Sequence, residues 1–415
     1  MDDRQSVLVV GGGAIGLCTA YYLRRAGMDV TLVDKNLCGS GASRGNAGWI
    51  VPSLSAPIPG PGLPLQTLRW LARADSPVHI RPRLDVEFGT WLWKFWRACG
   101  KQAQAAGLLA FANLNADTFR LFDRILADNV RFEMHRTGLV FAFLNQLGAE
   151  SELANMRWLR DQGYDLPNNA LSGAALREVE PALSTNVRGG FLVEPERHVD
   201  PGSFAIGLAA RLREMGTVIH EHACVTGFDR VAARVTSVKT TVGELDADVV
   251  VLAAGAQTTR LTKMIGHRVP MQPGKGYSFS IASQAPPRHA LYLGEAKIGC
   301  SPLEGRTRIA GTMELPGDNV RLDMRRIDSM ERSARQYLVE WPEGGATELW
   351  AGQRPLTPDG LPVIDRLGDL ENSYVSTGHS TLGITLAPSS GLALCQYILE
   401  GRRPPVLSPF AFDRF

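Results

Sequence analysis

The chain has 415 residues and a formal net charge of +2, with 44% hydrophobic and 21% charged residues. This composition is typical of a folded globular protein and argues against extensive disorder. The balanced charge does not suggest a nucleic-acid-binding protein, in which basic residues gather on one surface. The length suits two or three folded units.

Cysteine usage and the N-terminus bear on metal sites and on location. No pair of the six cysteines has the CxxC spacing of zinc or dithiol redox sites, so we expect reduced thiols and no metal. The N-terminus lacks the basic start and long apolar stretch of a signal peptide, and no segment approaches the ~20 apolar residues that span a bilayer. We therefore expect a cytoplasmic protein, soluble or attached peripherally to the inner face of the cell membrane.

The first forty residues have the pattern of a βαβ unit. Ser6–Val10 is a Val-rich run typical of a strand that is buried on both faces of a parallel sheet. Residues Gly11 to Gly16 follow with the pattern G-x-G-x-x-G, and a segment with helical period continues to Gly27. A second strand, Val30 to Val33, ends at Asp34.

Each part of this unit suits a dinucleotide. Gly11 permits a tight turn, Gly13 lets a pyrophosphate approach the backbone, and Gly16 lets the helix pack closely on the strand. The start of the helix offers N–H groups to phosphates. Asp34 can accept hydrogen bonds from a ribose and disfavours the 2′-phosphate of NADP.

The chain then departs from the further βα units that are usual in NAD dehydrogenases. A loop of small residues, Gly39 to Gly48, suits a second pass along the pyrophosphate toward a flavin. The proline-rich run after this loop favours a fixed path over a flexible linker. We therefore predict FAD as the dinucleotide.

Aromatic residues crowd one short helical stretch. They are Phe88, Trp91, Leu92, Trp93, Phe95 and Trp96, with Lys94 and Arg97 alongside and Trp70 upstream. A helix with tryptophans on one face and cations on another can lie in a membrane interface. Packing of an apolar helix inside a substrate domain is the alternative, and both interpretations stay open.

The middle of the chain predicts a return to the first sheet. Asp200 and Pro201 mark the start of a helix that extends to Met215. Val249–Leu252 reads as another buried strand. The dinucleotide-binding domain is therefore discontinuous in sequence.

An antiparallel unit is predicted in the last third of the chain. Its strands are Tyr277–Ile281, Ala296–Ser301 and Arg306–Glu314, with a helix around residues 325–339. We expect an α/β fold with a Rossmann-like FAD-binding domain (residues 1–64, 196–269 and 349–415). An α+β substrate domain on a mixed or antiparallel sheet would comprise residues 65–195 and 270–348.

Two C-terminal features suit a flavin site. Arg354 ends a strand before a turn signal, where its guanidinium would project near the flavin and can bind a carboxylate through two parallel hydrogen bonds. A structural salt bridge is the alternative role. A Gly/Thr-rich loop, Gly378 to Leu386, enters a helix that continues to about Leu399, and the positive start of that helix suits a reduced flavin.

Several segments resemble the D-amino acid oxidase superfamily of FAD-dependent oxidoreductases. They are the opening fingerprint, SRGNAG, and the C-terminal GQRPLTPDGLPVI and STGHSTLGITLAPSSG. The resemblance extends from Val7 to about Gly401, is strongest toward the bacterial D-amino acid dehydrogenase and D-hydroxyproline dehydrogenase branch, and is weaker in the middle.

The resemblance implies FAD and assigns its contacts to these residues: Gly11, Gly13, Ala14, Ile15, Gly16, Asp34, Lys35, Ser43, Asn46, Ala47, Gly48, Val225, Ala254, Gly255, Gly378, Gly383, Ile384 and Thr385. No cysteine lies in a motif for covalent flavin attachment, so we expect noncovalent binding. The resemblance also implies that Arg354 holds the substrate carboxylate.

Two further residues are candidates for the catalytic site. Tyr277 would line the pocket or donate to the carboxylate, unless it packs in the core. His379 would touch the flavin or the substrate, unless it holds its loop through local hydrogen bonds. Trp49, directly after Gly48, would shape the pocket. Lys297 is a weaker candidate for the pocket, and a solvated lysine is the alternative.

The function that the resemblance implies is oxidative deamination of a small D-amino acid, with a D-proline-like compound among the candidates. Hydride would pass from Cα to flavin N5, and the electrons would go to a quinone or another acceptor. Two alternatives stay open: a glycine- or sarcosine-type amine oxidase that uses oxygen, and a flavin-bearing electron-transfer subunit of a larger complex. Stereochemistry and oligomeric state also stay open.

Overall fold

The structure is a computed structural model that describes residues 5–63, 78–80, 85–315 and 319–415. The helices are α1 (Ala14–Arg25), α2 (Val86–Ala98), α3 (Lys101–Asn115), α4 (Thr118–Ala127), α5 (Gln146–Met156), α6 (Gly173–Val179), α7 (Pro201–Glu214), α8 (Thr258–Met264), α9 (Met324–Ala334) and α10 (Gly383–Glu400). The predicted aromatic cluster includes Trp70, which lies outside the described residues.

The strands are β1 (Ser6–Val10), β2 (Asp29–Val33), β3 (Trp49–Ile50), β4 (Val78–Ile80), β5 (Met134–His135), β6 (Leu139–Phe143), β7 (Leu171–Ser172), β8 (Gly189–Val193), β9 (Arg197–Val199), β10 (Val218–His220), β11 (Val225–Val231), β12 (Arg234–Thr240), β13 (Gly243–Asp246), β14 (Val249–Leu252), β15 (Gln272–Ile281), β16 (Ala290–Leu293), β17 (Ile298–Leu303), β18 (Arg306–Leu315), β19 (Thr347–Leu356), β20 (Val363–Arg366) and β21 (Ser373–Thr377).

A six-stranded sheet in the order β10-β2-β1-β14-β21-β20 contains the N-terminal βαβ unit. β1 pairs in parallel with β2 on one side and with β14 on the other, as the buried run Ser6–Val10 predicts. β14 pairs in parallel with β21, and β20 closes the edge as an antiparallel strand. The predicted return of Val249–Leu252 to the first sheet is confirmed.

Different layers cover the two faces of this sheet. Val7 and Val9 pack in one apolar cluster with residues of α1, α7 and α10. Leu8 and Val10 pack in another cluster with residues of α8 and of the three-stranded sheet β11-β12-β13. Successive side chains of a strand point to opposite faces, so β1 is apolar along most of its length because both faces are covered.

A nine-stranded mixed sheet forms the second large layer. Its order is β19-β15-β18-β17-β16-β6-β8-β7, and β4 pairs with β18 outside this path. The pairs β16–β6 and β18–β4 are parallel, whereas β15, β17, β18 and β19 pair antiparallel with one another. The three strands predicted for this region, and the helix after them, are confirmed as β15, β17, β18 and α9.

Some elements pack differently from the predicted division into two domains. Phe111 of α3 and Phe122 of α4 come from the segment assigned to the substrate domain, yet they share an apolar cluster with Leu17 of α1. β19 belongs entirely to the nine-stranded sheet, although the predicted boundary assigns residues from position 349 onward to the FAD-binding domain. The exact domain boundaries stay a prediction.

Candidate active site

A cavity of about 780 Å³ lies between the two large sheets. The ends of β1, β2, β14 and β21 line one side of it, through residues such as Val10, Val33 and Thr377. Residues of β17, β18 and β19 line the other side. The carboxyl ends of parallel strands are the usual place for a ligand in an open α/β sheet, so this cavity is the candidate active site.

The glycine-rich turn packs tightly at one end of the cavity. Gly11 has φ +114°, and a Cβ there would lie 2.5 Å from the carbonyl oxygen of Ala253. A Cβ on Gly16 would lie 1.8 Å from the carbonyl oxygen of Gly11. The turn, the start of α1 and the end of β14 therefore approach each other at distances that only glycine permits.

The start of α1 faces this end of the cavity. Gly13 is the N-cap, with no side chain to cap the helix, and the first turn contains no acidic residue. The N–H of Ala14 donates to Ser43 Oγ at 3.0 Å, which fixes the small-residue loop beside the helix start. The positive end of the helix dipole is thus available to an anionic ligand.

Asp34 stands at the end of β2, as predicted, and already accepts two backbone hydrogen bonds. Its carboxylate accepts from Gly12 N at 2.7 Å and from Asn36 N at 2.8 Å. Burial raises the pKa of Asp34, and these two N–H donors oppose that shift. Asp34 and Lys35 both line the cavity, and a contact from Asp34 to a ribose stays a prediction.

The loop after β2 follows the cavity wall toward the second sheet. Asn46 Oδ1 accepts from Gly48 N at 2.8 Å, and Asn46 Nδ2 donates to the carbonyl oxygen of Thr381 at 3.4 Å. The loop is thereby tied to the C-terminal loop that also lines the cavity. Trp49 follows at once and lines the cavity with its indole Nε1 donating to Ser301 Oγ at 2.9 Å.

Arg354 lies on the opposite wall, where its guanidinium is buried against β18. Nη1 donates to the carbonyl oxygen of Thr312 at 2.7 Å, and Nη2 lies 3.5 Å from that of Gly311. No carboxylate of the described residues lies within 4.0 Å of the guanidinium. Burial lowers the pKa of Arg354 to about 10, which leaves it charged at neutral pH.

Two residues beside Arg354 explain how it is held. Thr312 has φ +62°, a left-handed conformation that is strained for a β-branched residue, and this turns its carbonyl oxygen toward Nη1. A Cβ on Gly276 of β15 would lie 2.2 Å from Arg354 Cζ, so the guanidinium occupies the space left by a missing side chain. Strain at a ligand site is a common feature of binding residues.

His379 is buried in the C-terminal loop and lines the cavity. Its Nε2 lies 3.0 Å from Ser390 Oγ of α10. Burial lowers the pKa of His379 to about 3, so the imidazole is neutral at ordinary pH. The next residue, Ser380, has φ +53°, and its buried Oγ has no hydrogen-bond partner among the described residues.

Tyr277, in contrast, lies away from the cavity. Its ring is fully buried in the apolar cluster under α9, and its hydroxyl donates to Glu314 Oε2 at 2.9 Å. Gly276 meets Arg354 on one face of β15, so the next side chain points to the other face. The expected contact between Tyr277 and the substrate carboxylate is therefore corrected to the alternative, core packing.

The structure brings together most of the residues assigned to FAD. Those that line the cavity are Gly11, Gly13, Ala14, Ile15, Asp34, Lys35, Ser43, Asn46, Ala47, Val225, Ala254, Gly255, Gly383, Ile384 and Thr385. Gly16, Gly48 and Gly378 do not line it. A Cβ on each would meet another part of the chain within 2.6 Å, so these three glycines allow close packing behind the cavity wall.

Sequence reasoning missed two aromatic residues of the wall, Trp350 and Tyr292. Trp350 packs against Gly45, where a Cβ would lie 2.0 Å from its ring. A signal for Trp350 existed, because residues 350, 352 and 354 of one strand share a face. Tyr292 lies on β16, a four-residue strand that we did not predict.

The aromatic helix α2 divides its residues between the core and the surface. Phe88 and Trp91 are buried, and Trp91 Nε1 donates to the carbonyl oxygen of Leu356 at 3.1 Å. Trp93 and Trp96 are 52% and 63% exposed. Of the helices in the described part of the chain, none is both long and apolar enough to cross a membrane.

The residues of the cavity fit FAD, the cofactor that the sequence implies. The uncapped start of α1 suits a diphosphate, and the glycines leave room for it beside the backbone. The unpartnered hydroxyl of Ser380 offers a hydrogen bond at the other end, where the ring system would lie.

Across residues 5–63, 78–80, 85–315 and 319–415 we find no group of three or more metal-binding side chains.

Comparison with known proteins agrees with this assignment. The model of the DAO family, described as FAD dependent oxidoreductase, matches residues 6–397. The D-amino acid dehydrogenase of Bradyrhizobium diazoefficiens is 32% identical over 99% of this chain and 98% of its own. D-amino acid dehydrogenase 2 of Pseudomonas aeruginosa is 35% identical over 97% of this chain and 96% of its own.

The fold is also similar to that of solved flavoenzyme structures. Glycine oxidase from Bacillus cereus superposes with a TM-score of 0.76 over 99% of both chains, at 23% sequence identity. At this identity the likeness concerns the fold alone.

Proposed function

Because the chain belongs to the DAO family of FAD-dependent oxidoreductases, we propose that it oxidises the Cα–N bond of a small D-amino acid. The observation that carries this proposal is Arg354, a buried cation in the cavity wall with no carboxylate partner among the described residues. An unpaired buried charge is costly, and a substrate carboxylate would offset that cost.

The names of the relatives support the same substrate class. Both curated relatives described above are D-amino acid dehydrogenases, and each aligns over at least 96% of its length. The D-configuration is proposed from these names. Within the class, a D-proline-like substrate is one candidate.

The contribution of the chain to the reaction is orientation. FAD, when bound, supplies the acceptor for the two electrons that the substrate loses. Arg354 would hold the carboxylate and thereby direct the Cα–H bond, and such fixed geometry accounts for much of the rate of an enzyme. Oxidation of the amine to an imine releases two electrons and two protons. For a primary amine, water then converts the imine to a keto acid and ammonia, whereas the cyclic imine of a D-proline-like substrate keeps its nitrogen.

His379 is suited to a positioning role. Its imidazole is neutral and hydrogen-bonded to Ser390, so it would hold the C-terminal loop against the cavity without adding charge. A positive charge is not needed there, since the start of α10 already has a positive dipole end.

We propose that the FAD is bound noncovalently. Of the cysteines in the described residues, Cys224 lines the cavity, next to Val225, one of the residues assigned to FAD. The test is acid precipitation of the yellow protein. Flavin released into the supernatant supports noncovalent binding, and colour retained in the pellet contradicts it.

We propose a quinone as the electron acceptor. The protein would meet this quinone at a membrane surface, which it would contact through the exposed face of α2. Trp93 and Trp96 are exposed beside two cations, and Arg97 Cζ lies 4.9 Å from the Trp93 ring centroid. Exposed tryptophans next to cations favour contact with anionic lipid headgroups.

Sedimentation with anionic vesicles tests this surface. A double variant, Trp93→Ser with Trp96→Ser, should lose vesicle binding, whereas Leu147→Ser, at a 76% exposed leucine elsewhere, should retain it. If the wild-type protein does not sediment with vesicles, the membrane proposal is wrong.

An anaerobic substrate screen tests the reaction itself. Wild-type protein is mixed with D- and L-amino acids, sarcosine and D-hydroxyproline, and flavin absorbance is followed. Bleaching by D- but not L-amino acids supports the proposal. Bleaching by sarcosine or glycine alone would favour the amine-oxidase alternative, and recovery of colour with air or with quinone then identifies the acceptor.

A further inference from the structure

A tyrosine–lysine pair occupies a part of the cavity wall that the proposed reaction does not use. Tyr292 lies on β16, and Lys297 lies in the turn between β16 and β17. Lys297 Nζ donates to the Tyr292 hydroxyl at 2.8 Å and lies 5.2 Å from the Tyr292 ring centroid. Both residues line the same cavity as Arg354.

The tyrosine of the pair packs against Trp49. The indole of Trp49 lies over Gly299, where a Cβ would be 2.6 Å from the ring, and it meets the Tyr292 ring edge-on at 6.3 Å between centroids. Trp49, Tyr292 and Lys297 therefore form one continuous wall whose polar end is the ammonium group.

Gly311 links this wall to the carboxylate anchor. Its carbonyl oxygen lies 3.5 Å from Arg354 Nη2, and a Cβ on Gly311 would lie 3.4 Å from the carbonyl oxygen of Lys297. Arg354 and the backbone of Lys297 therefore adjoin the same residue of β18, and both residues line the cavity. A cavity wall with two cationic residues suits a ligand with two acidic groups.

The charges around this part of the cavity favour an anion. Among the described residues that line the cavity, the acidic one is Asp34, which lies at the end of β2 and accepts hydrogen bonds from Gly12 and Asn36. The negative charges of Glu152 and Glu295 also attract the Lys297 ammonium. Neither residue lines the cavity, and neither carboxylate lies within 4.0 Å of Nζ. Glu295 accepts from Leu144 N and from the Tyr337 hydroxyl.

The free hydrogen-bond donors of Lys297 and Tyr292 also favour a carboxylate. An ammonium group has three N–H donors, and Lys297 uses one of them on Tyr292. The Tyr292 hydroxyl accepts that bond and keeps its own hydrogen for donation. Burial raises the pKa of Tyr292, so this hydrogen is retained at neutral pH. The pair therefore offers several donors to one acceptor group.

We propose that Tyr292 and Lys297 bind a side-chain carboxylate of the substrate, so that the preferred substrates are acidic amino acids. This inference rests on the proposed function, with Arg354 binding the α-carboxylate and the pair binding the second one. A cationic side chain would be repelled, and a neutral one would gain no ion pair with the ammonium.

Turnover of D-glutamate and D-glutamine, which differ mainly in the charge of the side chain, tests the preference. Wild-type enzyme should have a kcat/KM for D-glutamate about 10- to 100-fold above that for D-glutamine. Lys297→Met should remove this ratio, mainly through a higher KM for D-glutamate, and Lys297→Arg should restore part of it. Tyr292→Phe should reduce the ratio less than Lys297→Met.

The matched control is Lys101→Met, at an exposed lysine at the start of α3, which should keep the wild-type ratio. A wild-type enzyme that prefers D-glutamine, or a Lys297→Met variant that loses activity on both compounds equally, would overturn the inference.

A binding measurement separates this inference from the proposed function. Glutarate and butyrate have no amino group, so calorimetry on the oxidised holoenzyme measures their binding without turnover. Glutarate should bind at least about 10-fold more tightly than butyrate to wild type, and about equally to Lys297→Met. Equal binding to wild type contradicts the inference. If no D-amino acid reduces the flavin, the proposed function fails while this comparison still tests the pair.

Discussion

Arg354 illustrates how a single residue can indicate the chemistry of a ligand. Its hydrogen bonds go to backbone carbonyl groups of β18, which neutralise no charge. A buried ion without a counter-ion is destabilising by itself, so its presence in a cavity wall points to an anionic ligand. The strained backbone of Thr312 is consistent with a binding site, because strained residues cluster at such sites.

Replacing Arg354 should therefore weaken substrate binding. We expect Arg354→Ala to raise the KM for amino acids by about 10- to 100-fold, the effect of losing charge-assisted hydrogen bonds. Arg354→Lys should recover only part of the loss, because an ammonium cannot form the paired contact. Steady-state kinetics measures this, with Arg332→Ala on the exposed side of α9 as the control. An unchanged KM in Arg354→Ala would exclude the anchor role.

Gly276 permits a second test of the anchor that keeps its charge. The Cβ of Gly276→Ala would meet the guanidinium, which is the mobile end of a side chain, so the arginine should move while the fold survives. We expect a higher KM with a melting temperature within a few degrees of wild type.

The matched control is Gly227→Ala on β11, where the nearest atoms to a new Cβ lie 3.9 Å away. A normal KM in Gly276→Ala would mean that the position of the guanidinium is not critical.

Strand β15 shows why the position of Tyr277 could not be predicted. Gly276 and Tyr277 are neighbours, and a strand places neighbours on opposite faces. The sequence of β15 does not indicate which face meets the cavity, since both are buried. That choice depends on the pairing of β15 with β19, which brings Arg354 opposite Gly274.

At the scale of elements, the N-terminal βαβ unit was predictable because its signals are local. Strand, glycine turn, helix and second strand follow each other within 28 residues, Ser6 to Val33, and each has its own pattern.

The nine-stranded sheet was predictable only in part. Its parallel pair β16–β6 joins residues far apart in sequence, and no local pattern specifies that pairing.

The contact between α1 and the glycine turn gives a prediction about cofactor retention. Gly16→Val would place a side chain against the carbonyl oxygen of Gly11, so α1 must shift away from the turn. We expect about 1–3 kcal/mol of destabilisation and protein that purifies with less flavin. The ratio of visible to ultraviolet absorbance measures flavin content.

Gly89→Val on the exposed side of α2 serves as the control, because nothing lies within 4 Å of a new Cβ there. Full flavin content in Gly16→Val would show that α1 tolerates the shift.

At the scale of the whole molecule, sheets and helices group the segments of the chain differently. Phe111 and Phe122 come from the segment between the strands of the first sheet, yet they join the apolar cluster around α1. An amphipathic helix indicates that it has an apolar face, not which neighbour covers that face. Helix assignment to a domain is therefore a property of packing that sequence patterns do not contain.

Buried ionisable groups make the stability of the molecule depend on pH in opposite directions. Burial lowers the pKa of His198 to about 4 and that of His379 to about 3. Both histidines stay neutral in the folded protein, whereas in the unfolded chain they take up protons below about pH 6.5. The free energy of unfolding therefore decreases as the pH falls below about 6.5.

Glu196 has the opposite effect. It is buried, its Oε1 accepts from Ser53 N at 3.0 Å, and burial raises its pKa to about 8 from the usual 4.5. Between these values the folded protein holds a proton that the unfolded chain has lost, so its contribution to stability decreases as the pH rises from 4.5 to 8. The slope is at most about 1.4 kcal/mol per pH unit.

Glu196→Gln removes this titration while it keeps the shape of a protonated carboxyl group. We therefore expect the difference in unfolding free energy between the variant and wild type to grow in favour of the variant from pH 5 to about pH 8. Urea unfolding of both proteins across this range measures the difference, and Glu340→Gln at an exposed position should show none. Because the histidines contribute equally to both proteins, a difference that stays constant with pH would mean that Glu196 is ionised in the folded protein, with a partner or water that satisfies its charge.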